Sequence, residues 1–265
     1  MEQLLALADK FFHISLKGAD NPAFSAPVAE LLQPDTMAQA LNCSRDLLKA
    51  HGLDLPASHL GMGFFGLCAI VQLGISQYNR VLDLTPDNLE FQLEQHEDHA
   101  HTVFRIKELR WSDLPAAEGR DEAVTEALTA YYRDTIRPML AAVGAGAGVK
   151  PDLVWNQYGA RMAFARDFVL ENDPREAARA RFQADLKLLE QLPAELFGRR
   201  RNPFVHEAEY IDSPHKPGAK LMVRSSCCMY YRRENGEKCY NCPILKSGER
   251  EALKRKIEEK REQTA

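Results

Sequence analysis

Apolar residues recur every three or four positions over the first dozen residues. Leu4, Leu5, Ala8, Phe11 and Phe12 share one face there, which predicts a helix. A second helix is expected over "PDTMAQALNCSRDLLKAHG" (34–52), with Asp35 near its start and Gly52 after its end. The most apolar stretch, "MGFFGLCAIVQLGI" (62–75), is read as too short to span a bilayer, and it contains Gln72. From Asn79 the period changes. "NRVLDL", "LEFQL" and "HTVFRIKEL" are β-branched, aromatic and alternating, as in short strands. "QHEDHA" (95–100) fits between the last two as a hairpin loop.

The helical period then returns. "DEAVTEALTAYYRDTIRPML" (121–140) places Val124, Leu128, a tyrosine, Thr135 and Leu140 roughly on one face, and Pro138 is expected to bend or end it. "GAGAG" (144–148) reads as a flexible connection. "WNQYGARMAFARDFVLEN" (155–172) puts Trp155, Tyr158, Met162, Ala165 and Val169 on one stripe. In "DPREAARARFQADLKLLEQL" (173–192), Asp173 is the expected N-cap and Pro174 the first helical residue. Residues 199–217 look irregular, "AKLMVRS" (219–225) reads as a strand, and "SGEREALKRKIEEKREQTA" (247–265) as a charged, exposed, frayed helix. The fold class is α+β: mostly helical, with a small central antiparallel sheet. Three parts are expected: an α+β domain over 1–215, a metal-binding segment over 216–248 and a helical tail over 249–265.

Composition narrows the class without fixing it. The 265 residues carry a net charge of −4, which argues against a generic nucleic-acid partner. The start, "MEQLLALADKFFH", has no basic region ahead of its apolar residues and does not read as a secretory signal. The expectation is a soluble, cytoplasmic protein with no spanning segment and at most a peripheral contact with the inner membrane. Thiols stay reduced in that compartment, so clustered cysteines there bind metal or do redox chemistry more often than they form disulfides.

Four of the six cysteines fall in "RSSCCMYYRRENGEKCYNCP" (224–243). Cys227, Cys228, Cys239 and Cys242 make the pattern C-C-x10-C-x2-C and reach one centre without long-range folding. A zinc site usually takes two separated pairs, each on its own turn. Adjacent cysteines point their side chains apart, which suits a binuclear iron–sulfur cluster that needs two sulfurs at each iron. On chemistry alone zinc and iron–sulfur both stay open. Residues 199–233 hold eight Lys or Arg against three Asp or Glu, in a chain that is otherwise acidic. Cations of this kind lower thiolate pKa values and favour a more negative cluster.

The segment resembles the C-terminal motif of FhuF-type ferric siderophore reductases. Arg224, Cys227, Cys228, Tyr231, Arg232, Cys239, Cys242 and Pro243 stand where that motif wants them, and "LVWNQYGA" (153–160) is similar to a Trp–Asn segment of the same family. The resemblance implies one [2Fe–2S] cluster per chain on Cys227, Cys228, Cys239 and Cys242. It also implies one-electron reduction of a ferric siderophore, a hydroxamate in preference, by electrons from an unidentified external donor. Fe(III) is held by hard oxygen ligands, and Fe(II) far more weakly. Arg224, Tyr231, Arg232, Arg233 and Trp155 are then candidates to meet the substrate, and "ENGEK" (234–238) is expected to turn Cys239 back toward Cys228. The rivals are a siderophore- or protein-binding module with structural zinc at the same cysteines, and an electron carrier whose acceptor is a protein.

Other signals carry less. "GMGFFG" (61–66) satisfies G-x-G-x-x-G, but no strand precedes it, so close helix packing is the better reading. "GAGAGVK" lacks the Gly-Lys of a phosphate loop. His96, His99 and His101 in "HEDHAH" are read as a solvated loop, with metal binding as the lesser alternative. Cys43 and Cys68 are expected to be buried small residues.

Overall fold

The computed structural model describes residues 2–97 and 99–264. The chain opens with α1 (Glu2–Phe12), β1 (Ile14–Ser15) and β2 (Phe24–Pro27), then α2 (Pro34–Leu48) and α3 (Asp54–Tyr78). β3 (Arg80–Leu82), β4 (Leu89–His96), β5 (His99–Ile106) and β6 (Trp111–Asp113) form the strand-rich middle. Helices resume with α4 (Arg120–Tyr131), α5 (Arg137–Ala147), α6 (Asp152–Trp155), α7 (Tyr158–Asn172) and α8 (Glu176–Gln191). β7 (Tyr210–Asp212) and β8 (Lys220–Met222) lead into the cysteines, and α9 (Ser247–Thr264) follows them. The class is α+β, mostly helical, as the hydrophobic pattern predicts.

The main sheet has the order β1-β5-β4-β2. β4 and β5 pair as an antiparallel hairpin and β2 runs antiparallel to β4, but β1 joins β5 in parallel, Ile14 opposite Phe104. The sheet is therefore mixed. α3 is the centre of the fold: 19 of its 25 residues are buried, and α1, α2, α5, α8 and β5 pack around it. A helix apolar on every side needs such a shell. This corrects the length argument over 62–75. That stretch belongs to a 25-residue helix long and apolar enough to cross a membrane, and burial inside the fold accounts for its apolarity.

The "GMGFFG" glycines are packing positions. A Cβ on Gly61 would lie 2.1 Å from Val154 Cγ1, and one on Gly63 would lie 2.4 Å from Thr102 Cγ2. Their bare backbones let α6 and β5 close against α3.

Several boundaries differ from the sequence expectation. α2 stops at Leu48, four residues before Gly52, because Lys49 takes the left-handed conformation and returns its N–H to Arg45 and Asp46. Pro138 is the second residue of α5, and the turn before it, Tyr132–Ile136, is π-helical, so the regular α-helix is interrupted there as expected near a proline. "GAGAG" is helical to Ala147 and only Gly148 turns the chain. A Cβ on Gly146 would lie 2.8 Å from Met37 Cγ, so small residues here serve helix contact and not flexibility. Trp155 ends the separate short helix α6, one turn before α7 begins. α8 starts at Glu176, since Asp173 accepts the Arg175 N–H at 3.0 Å in a tight turn of its own. Most of "QHEDHA" is strand: β4 runs to His96 and β5 begins at His99. Asp98, part of that expected loop, lies outside the described residues.

The tail departs most. α9 is fastened to the cysteine segment. Arg250 donates to the carbonyls of Cys242 (3.0 Å) and Tyr240 (3.3 Å), and Lys238 pairs with Glu249 at 3.1 Å. Leu253 packs against the cysteines, and Arg261 donates to Pro214 O at 2.8 Å.

Candidate metal centre

The cysteine segment folds by short-range bonds. Val223 N–H donates to Glu209 O (2.8 Å), extending the β7–β8 ladder. Arg224 N–H then meets Asn241 O (3.1 Å), and the Asn241 side chain donates to Met222 O (2.9 Å), so both ends of the segment close on β8. Arg232 N–H returns to Met229 O and Gly236 N–H to Arg233 O. Met229 and Asn235 hold positive φ at these turns, 61° and 55°. Gly236 is required: an added Cβ would lie 2.7 Å from Tyr230 O and 2.8 Å from Tyr231 O. The turn at Glu234–Asn235 does bring Cys239 back to Cys228. No strand pairing joins the two halves among the described residues, so the segment is a knot of turns.

The segment is anchored to the rest of the fold at one junction above all. Glu234 N–H donates to Lys49 O (3.0 Å) and His51 N–H to Arg232 O (3.0 Å), flanking an antiparallel bridge between Ala50 and Arg233. The Arg232 guanidinium pairs with Asp54 at 2.8 Å. On another side, Ala160 N–H at the start of α7 donates to Ser225 Oγ at 3.2 Å.

The thiols fall into two pairs. Cys227 and Cys242 are buried against Leu245, and their thiols are in hydrogen-bond contact. The Cys239 thiol donates to Cys228. That bond is the largest reason why the Cys228 thiol is lowered to about 5, with Arg224 and Arg161 adding attraction. The same contact pushes Cys239 well up. Burial raises Cys227 to about 11. Each pair takes one member of the adjacent cysteines and one of C-x2-C, so four thiols gather as one donor set for a metal centre.

Two arginines face this set. Arg224 Nε is buried with no hydrogen-bond partner. Arg161, from α7, is lowered to about 10 by burial and then by the neighbouring Arg224 charge, while Cys228 acts the other way. An unpaired buried guanidinium N–H is costly, and an anionic cluster fits it. Sequence reasoning missed Arg161, because its approach is tertiary and nothing in the local pattern of α7 marks it.

Of the other expected residues, Tyr231 packs against Cys227 and Cys242, while Arg232 is engaged with Asp54. Arg233 stacks on the half-exposed Tyr230 at 5.0 Å. Lys49, Tyr230, Arg233, Glu234 and Asn235 line an open depression of about 310 Å³ beside the segment. Trp155 is elsewhere: it is 2% exposed, wedged between Tyr158 (5.1 Å) and Phe197 (5.5 Å). Tyr158 is buried too and donates to Gly61 O at 2.8 Å. Both are core residues. Cys68 is buried, as expected, and Cys43 half-buried.

The histidines of "HEDHAH" are not in a loop. His96, His99 and His101 sit on paired strand positions, with ring nitrogens within 4.8 Å of one another. Burial, then His13 and the neighbouring histidines, lowers His101 to about 4 and leaves its ring neutral.

Residues 224–243 match the family model of the FhuF 2Fe-2S C-terminal domain. A comparison with curated proteins found no match.

Proposed function

Since residues 224–243 make this a FhuF-type chain, we propose that it is a cytoplasmic ferric siderophore reductase. The observation that carries the reading is the set of four thiols in two contacting pairs, faced by the half-buried cations of Arg161 and Arg224. Cys227 and Cys242 would hold one iron and Cys228 and Cys239 the other. A [2Fe–2S] centre, one per chain, supplies a single electron when bound there.

The residues around it have separable tasks. Arg161 and Arg224 favour the more negative charge state, and the Met229 N–H points at Cys227 Sγ (3.4 Å). Leu245, Leu253 and Tyr231 keep water from the Cys227–Cys242 side. Tyr230 and Arg233, at the rim of the depression, offer an aromatic face and a cation where a bulky ferric complex docks. One electron makes the complex labile, because Fe(II) is held weakly by hard oxygen donors. No bond of the ligand is cut, so no nucleophile or general base is needed. The chain's net acidity favours a neutral or cationic hydroxamate over an anionic catecholate at long range. Electrons come from an external donor.

The test begins with visible and EPR spectra of protein purified without oxygen, before and after dithionite. A red-brown protein that bleaches, with a spin-half signal only when reduced, is expected. Rapid mixing of the reduced protein with a ferric trihydroxamate should then restore the colour faster than buffer does. A colourless protein with one zinc per chain would favour the binding module. A bleaching cluster indifferent to the ferric complex would favour the electron carrier.

A further inference from the structure

Four imidazoles crowd the closed end of the β4–β5 hairpin. In its antiparallel register His96 is opposite His99, and Glu94 is opposite His101. Side chains two apart on a strand share a face, as do directly opposed ones. His96, His99 and His101 therefore project on one side. Their rings lie 5.0–5.5 Å apart between centroids, and those of His96 and His101 are near parallel at 9°. His13, one residue before β1, stacks behind His101 at 4.1 Å. Glu94 shares the face, but its carboxylate accepts the Asn21 N–H at 2.9 Å.

A structural reason for this grouping is hard to find. His96 is exposed and the other two are half-buried, so the trio adds little to the core. Protonated, the rings would repel across the strands. Neutral, they present three borderline nitrogen donors within 4.8 Å of one another. Hard ions such as Mg²⁺ and Ca²⁺ want oxygen; imidazole suits Zn²⁺, Cu²⁺, Ni²⁺ and Fe²⁺. A tetrahedral ion at roughly 2.0–2.1 Å from each nitrogen needs them roughly 3.3 Å apart. The nitrogens here lie within 4.8 Å of one another, so binding requires the rings to turn toward a common centre.

We propose that His96, His99 and His101 form a surface site for a divalent first-row transition ion, with His13 as a wall that fixes the His101 ring. The site backs onto the cysteine segment. Ala100, between two of the ligands, points to the other face of β5 and packs with Leu48, Leu55 and Met229, the residue after Cys228. Ferrous iron is then the natural occupant, as the product released nearby. That last identification rests on the proposed reduction; the site itself does not.

The experiment is equilibrium dialysis of the full chain, with its cysteine site loaded, against Zn²⁺ without oxygen. Wild type should hold one zinc per chain more than His99→Ala, with the visible spectrum and melting temperature of the two alike. Should His99→Ala fold poorly, His96→Gln at the exposed ligand reads the same difference. Because only the difference counts, zinc at the cysteines does not confuse it. Equal zinc in wild type and both variants overturns the site. Dialysis against Fe²⁺ separates the occupant: one extra iron lost in the same variants supports it, and none overturns iron while leaving the zinc result to stand.

Discussion

Arg161 shows how a single residue acts on a centre it does not hold. Its guanidinium is partly buried beside Cys228 and Arg224, where a charge is screened less than at the surface. Replacing it by glutamine should make the reduction potential more negative, on the order of tens of millivolts, and Arg161→Lys should recover part of the shift. Potentiometric titration followed at the visible bands reads it; an unchanged potential would remove Arg161 from the site. His59 illustrates a different residue-scale effect. Its Nε2–H donates to Ala100 O at 3.0 Å and its Nδ1 faces Ser44 Oγ at 3.1 Å. Burial lowers it to about 4. The unfolded chain, with histidine near 6.5, binds more protons between these values. Stability is thus full above pH 6.5 and falls by on the order of 3 kcal/mol as pH drops toward 4. Urea unfolding of His59→Gln between pH 7 and pH 4.5 should show a shallower loss.

At the scale of elements, α9 is a clamp on the cysteine segment. Arg250 satisfies two carbonyls of the segment, one of them from a cysteine. Arg250→Ala should leave the main fold intact and speed loss of the cluster colour to a chelator several-fold; a loss rate equal to wild type would return the helix to the role of a loose tail. The charge of α9 hides this from the sequence, because its anchoring contacts go to backbone oxygens and its apolar face is a few residues wide. The hairpin is as expected, and only the length of its loop is misread, for a related reason. Polar residues over 95–100 look like a loop, yet a strand with one face at the surface carries polar residues freely. In 144–148 the error runs the other way: glycines that signal flexibility in a chain serve close approach in a packed helix. What was legible is what is local. The period-3.6 pattern marks α1 and α2, and the spacing of the cysteines with "ENGEK" marks both the meeting of the four thiols and the turn that brings Cys239 to Cys228. Arg161, the Ser225–Ala160 bond and the tail clamp come from distant segments, and no spacing encodes them.

For the whole molecule, the cysteine segment lies outside the main core. The large apolar cluster runs from Leu4 to Phe204 around α3, while Cys227, Cys242 and Leu245 form their own small group. Joint replacement of Cys227, Cys228, Cys239 and Cys242 by serine should therefore keep the helical signal and a cooperative melt. Amide exchange should rise over 224–243 and α9 and stay slow in α3. Loss of α3 protection would mean that the metal supports the core itself.

The contacts of Glu234 and Arg232 with Lys49 and His51 join positions far apart in the sequence. During synthesis the early half of that junction is made first, with α2 and α3 free to associate. Its partner residues, 232–234, are made much later, together with the cysteines. A nascent chain that has not yet reached residue 224, however well its core has formed, holds none of the four clustered thiols.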